Sequence, residues 1–104
     1  MTIEVPKNAL RLLTDLTGEP RFEVALWMAL RDTVEHRLEK IAAERKVFED
    51  KYQMNFTAFK QRWDTGEVPH QDTYEVEKDY LEWEGLITRQ AKLEETAQWL
   101  PQTQ

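Results

Sequence analysis

The chain has 104 residues, 40% of them hydrophobic and 33% charged, with no cysteine and a formal net charge of −6. That size allows one domain, here 1–104, and the composition is too apolar for disorder and too charged for a membrane-embedded protein. Without cysteine there is neither a disulfide framework nor thiolate chemistry. The first residues, Thr2 to Pro6, alternate polar and apolar side chains and end at a proline, the pattern of a short strand or an extended arm. Residues 7–17 then place Ala9, Leu12, Leu13 and Leu16 on one expected helical face, stopped by Gly18, with Pro20 just inside the next start.

A long helical pattern follows from about 20 to 52. Residues 22–30 are apolar nearly all round, which predicts the core-facing centre of the fold. Beyond them the stripe narrows to Leu30, Val34, Leu38, Ile41, Phe48 and Tyr52, a coiled-coil-like seam with one polar break at Arg45. Asn55 is placed to cap a short helix carrying Phe56, Phe59 and Trp63 on one side. Gly66 and Pro69 mark the clearest loop. A second long helix is expected over about 72–99, started by Asp72, whose Glu75 three residues on fits a capping box, or by Thr73. Val76, Tyr80, Trp83 and Ile87 recur on one face of it, and Pro101 ends it. The fold class is therefore all-α: two long antiparallel helices and two shorter ones, with a short strand or arm in front. The seam and the segment 22–30 exceed what two short helices can cover, so a homodimer is expected.

Charge is uneven along the chain. Residues 1–62 carry a net +1 and residues 63–104 a net −7. The acidic residues Glu75, Glu77, Asp79, Glu82 and Glu84 flank the aromatic stripe of the last helix. With three basic residues in that half of the chain, not all of them can pair locally; Arg37, Lys40 and Arg45 of the first long helix are the candidate internal partners. The remaining carboxylates form a candidate contact for a basic partner protein, and they disfavour nucleic acid at this face. Tyr80 and Trp83 fall in the stripe and are expected in the core.

Catalytic and metal signals are sparse. Asp32, His36 and Glu39 share a helical face, but one histidine and two carboxylates on so charged a helix predict no metal site. No cofactor motif occurs, no apolar run approaches the ~18 residues of a spanning helix, and no secretory signal is read at the N-terminus, so a cytoplasmic protein is expected. Arg31 and His36, in the pattern Arg-x4-His, resemble the motif of the small helical HEPN ribonucleases. That resemblance implies a histidine base and an arginine holding developing phosphate charge. The order of residues 2–30, strand, short helix, Gly turn, helix, resembles ribbon–helix–helix regulators and implies strand-paired dimers that read DNA. Residues 48–95 carry the widest resemblance. Phe48, Lys51, Tyr52, Met54, Phe56 and Phe59, then Gly66 and Pro69, then Tyr74, Glu75, Glu77, Asp79, Glu82, Trp83 and Glu84, resemble small prokaryotic helical proteins that look like the antitoxin partner of toxin–antitoxin pairs. It implies a non-enzymatic module that binds a partner protein and needs no cofactor.

Overall fold

The computed structural model describes residues 4–101. Four helices follow one another: α1 (Lys7–Thr17), α2 (Phe22–Tyr52), α3 (Phe56–Asp64) and α4 (Tyr74–Ala97). The all-α expectation holds, with two long helices packed against each other and two shorter ones, and with no strand among the described residues. Part of the arm expected at Thr2–Pro6 lies outside the described residues. Pro6 itself caps α1, its carbonyl accepting from the Ala9 amide at 3.0 Å.

Each helix ends for a local reason. Gly18, at φ 73°, closes α1 by donating its amide to the Thr14 carbonyl at 2.8 Å, a left-handed turn that suits glycine. Asn55 caps α3, as its position suggests, accepting from the Ala58 amide at 2.9 Å. The cap of α4 is Thr73 and not Asp72. Thr73 holds the extended backbone before the first turn and its hydroxyl accepts from the Val76 amide. The box with Glu75 does not form because Glu75 is turned towards Lys51 of α2, 2.9 Å away. Gln53 ends α2 at φ 56°, a left-handed position occupied by a residue with a Cβ. Gln53→Gly should raise stability by about 0.5–1 kcal/mol in urea unfolding, the relieved backbone outweighing glycine's entropy and the lost bond from the Gln53 amide to the Asp50 carbonyl.

The long helices run antiparallel in a register fixed at four points. Lys51 meets Asp79, Phe48 stacks on Trp83 with ring centroids 5.5 Å apart, Arg45 donates to Gln90 at 2.6 Å, and Arg31 reaches the Pro101 carbonyl. The polar break in the seam is thus a specific pair, half-buried between the helices, of the kind that fixes register.

The core is aromatic and lies at one end of the molecule. Trp83 and Phe59 are fully buried, surrounded by Phe56, Val68, Val76 and Tyr80, with Phe48, Tyr52 and Trp63 packed around them. Trp83 has rings of Phe48, Tyr52, Phe56 and Phe59 at centroid distances of 5.0–6.0 Å. Trp63 stacks on Tyr80 at 4.4 Å. The loop after α3 is held onto this core: Val68 is buried, and Gln71 donates to the Trp63 carbonyl while accepting from the Val68 amide.

The segment 22–30 is not the centre of the core. Only Ala25 is fully buried there; Val24, Leu26, Trp27 and Met28 are half-buried, and Phe22 and Leu30 are exposed. The register explains this. The pairing of α4 with α2 ends where Pro101 meets Arg31, so the preceding turns of α2 rely on α1, a helix of 11 residues. α1 also faces differently from expectation. Ala9, Leu13, Thr14 and Thr17 are its half-buried positions, which leaves Leu12 and Leu16 exposed. The molecule is a thin rod of 56 × 28 × 22 Å with a radius of gyration of 19.5 Å, against roughly 13 Å for a compact domain of this length. No helix among the described residues is long and apolar enough to cross a membrane.

Candidate partner-binding surface

The five acidic residues of α4 separate into different environments. Asp79 is turned inward, its side chain 13% exposed. It accepts from Lys51 Nζ at 2.6 Å and from the Tyr52 hydroxyl. Burial alone would raise its pKa, but the hydrogen bonds from Lys51 and then Tyr52 outweigh it and hold the carboxyl below its usual value. Lys51 is pushed up in turn by its bonds to Asp79 and Glu75. Burial, reinforced by the Asp79 hydrogen bond, pushes the Tyr52 phenol up to about 12. Asp79, Lys51 and Tyr52 form a clasp between the last turn of α2 and the second turn of α4. It leaves Asp79 little surface to offer.

The other four carboxylates reach the surface to different degrees. Glu75 is exposed and shares Lys51 at 2.9 Å. Glu77 is exposed and makes no ion pair among the described residues, at the rim of a depression formed with Trp63, His70 and Asp72. Glu82 pairs with Lys78 at 3.4 Å on the surface of its own helix, the i,i+4 contact its spacing implies. Glu84 is half-buried, and the Tyr80 hydroxyl donates to it at 3.4 Å. Glu75 and Glu82 thus run along one edge of the buried stripe of α4 and Glu77 and Glu84 along the other, beside the aromatic core that holds the helix rigid.

The expected internal partners of these acids are placed elsewhere. Arg45 is occupied by Gln90 and by Glu49, 3.0 Å away. Arg37 and Lys40 lie towards the far end of the antiparallel pair, opposite the second half of α4. There they join Arg89 and Lys92 around a groove of about 270 Å³ lined also by Ile41, Leu93 and Glu44, the last 4.0 Å from Arg89. The internal cation for the acidic segment is Lys51. Its role was readable from one signal: Asp79 falls three residues after Val76 and four before Trp83, on the apolar face, where a carboxylate requires a cation. The basic groove has a weaker signal. Arg37 with Lys40, and Arg89 with Lys92, are each three apart, but only the antiparallel register brings the two pairs together.

The residues with catalytic spacing are not gathered into a pocket. Arg31 is half-buried and turned to the C-terminal end of α4, donating to the Pro101 carbonyl. His36, exposed and five residues on, lies about 140° further around the same helix. Asp32, His36 and Glu39 do not form a metal-holding group; none exists among the described residues. His70 sits at φ 58° in the loop before α4, where its carbonyl accepts from the Thr73 hydroxyl and amide. Its role is in the turn. Compared with known families, curated proteins and solved structures, the chain matches none.

Proposed function

We propose that this chain is a non-enzymatic protein-binding module, an antitoxin-like subunit that captures a basic partner through the outer face of α4. The observation that supports this reading is the division of the acidic segment. One carboxylate, Asp79, is neutralised inside the fold by Lys51, while Glu75, Glu77, Glu82 and Glu84 are kept at the surface of a helix anchored by Val76, Tyr80, Trp83 and Leu86. A rigid, aromatic-backed helix whose outer face is bordered on both edges by carboxylates suits docking to a cationic surface at little entropic cost. The same charges would speed association at low salt, with screening over a Debye length of roughly 8–10 Å.

The partner class to assay is a small basic protein. Co-expression followed by titration at two salt concentrations tests the reading. Glu77→Lys with Glu84→Lys should leave helicity unchanged and weaken binding at least ~10-fold, chiefly through a slower association rate. If the doubly reversed variant binds at low salt as tightly as the parent, α4 is a solvated face and the assignment is wrong. Incubation of the purified chain with labelled RNA separates this reading from a ribonuclease: cleavage that is lost in a folded His36→Ala variant would replace it.

A further inference from the structure

We infer that the hairpin formed by α1 and the first third of α2 is a homodimer interface, and that its occupant is the same hairpin of a second copy. This inference does not depend on the antitoxin-like reading.

The argument begins with what the hairpin leaves uncovered. Leu12 is 58% and Leu16 80% exposed, one turn apart on α1, on the flank of the half-buried face that meets α2. Phe22 and Leu30 on α2 and Leu10 on α1 add exposed apolar surface at the same end. A helix that is apolar nearly all round, as 22–30 is but for Glu23, normally belongs inside a bundle. Here α1 is the helix packed on it. Two helices make one layer, and a second layer is what completes a four-helix arrangement.

Area gives the second support. The chain exposes 8233 Å², whereas a compact monomer of its mass exposes roughly 6100 Å². The excess is more than twice the ~800 Å² per partner that a stable interface needs.

Charge identifies the occupant. On α1 the cations Lys7 and Arg11 precede the single acid Asp15, each four residues from the next, and none of the three forms an ion pair among the described residues. The neighbouring acid Glu19 is already taken by Arg21 at 2.8 Å. A helix with its cations first and its acid last is complementary to an antiparallel copy of itself. A two-fold axis level with Leu13 and Thr14 would set Leu12 and Leu16 of one copy against those of the other. It would also bring Arg11 of each copy towards the other copy's Asp15. An isologous contact requires this self-complementarity; a basic partner would instead be repelled by Lys7 and Arg11.

Sedimentation velocity at high micromolar concentration tests the inference. The parent chain should run at twice its 12.4 kDa mass. Leu12→Glu with Leu16→Glu, at positions already exposed, should keep its helical circular dichroism and weaken the dimer at least ~100-fold, to a monomer. Asp15→Arg alone should weaken the dimer, and adding Arg11→Asp should restore it, because the swapped charges face each other again across the axis. A parent that stays monomeric overturns the inference. A dimer that survives the two leucine substitutions overturns it as well, since the contact would then lie elsewhere. Failure of the charge swap to restore a dimer weakened by Asp15→Arg would refute the antiparallel arrangement.

Discussion

Trp83→Ala should lower the stability of the protein by about 3–5 kcal/mol, the range for truncating a fully buried tryptophan. Trp83 has no exposed surface and is in ring contact with Phe48, Tyr52, Phe56 and Phe59, which come from the end of α2 and from α3. Removing the indole therefore takes away a central group through which α4 touches both of those helices. Domains of this size have only about 5–15 kcal/mol in total, so thermal unfolding should fall by more than 10 °C. Trp83→Phe should cost much less. The buried indole N–H has no hydrogen-bond acceptor among the described residues, and phenylalanine removes that orphan donor while keeping an aromatic ring in place. Chemical denaturation of both variants checks the pair. Equal losses for Ala and Phe would mean that shape at this site, and not ring contact, carries the energy.

The second large effect concerns Asp79. Asp79→Lys places a cation within reach of Lys51 in a site that is mostly buried, and the chain should fail to fold at neutral pH. Asp79→Asn keeps the shape and should cost about 1–3 kcal/mol, the range for a lost hydrogen bond to a charged group. The pH dependence follows from the directions of the shifts. The carboxyl of Asp79 is held low, so its contribution is present above the unfolded value of ~3.9 and is lost as pH falls through the folded one. Lys51 and Tyr52 are both raised, Tyr52 to about 12. Their contribution is complete below the unfolded values of ~10 and is lost as pH rises through the folded ones. Stability should therefore hold a plateau between roughly pH 5 and 9, with both limbs shallower in Asp79→Asn. By contrast, Glu77→Lys should alter stability by less than ~0.5 kcal/mol, because its side chain lies at the surface. If Asp79→Lys folds as well as Glu77→Lys, the clasp is not what orders the start of α4.

The sequence alone determined the helices and most of their punctuation. Periodicity located α2 and α4 within two residues at each end, and Gly18, Asn55 and Gly66 acted where their chemistry placed them. These features depend on neighbours within one or two turns, so the local pattern contains the answer. The aromatic stripe of Val76, Tyr80, Trp83 and Ile87 was legible for the same reason: four apolar residues on one helix face must be covered by something. What covers them was decided only in three dimensions. The antiparallel register sets Lys51 and not Arg37 or Lys40 against the acidic segment, and so removes Asp79 from the candidate surface while leaving Glu77 on it. The same register ends α4 opposite Arg31, which turns residues 22–30 from an expected core into a half-covered flank. Burial is a property of where two distant segments meet. The energy that fixes it here comes from the pairs Arg45–Gln90, Lys51–Asp79 and Phe48–Trp83, each joining residues that are far apart along the chain.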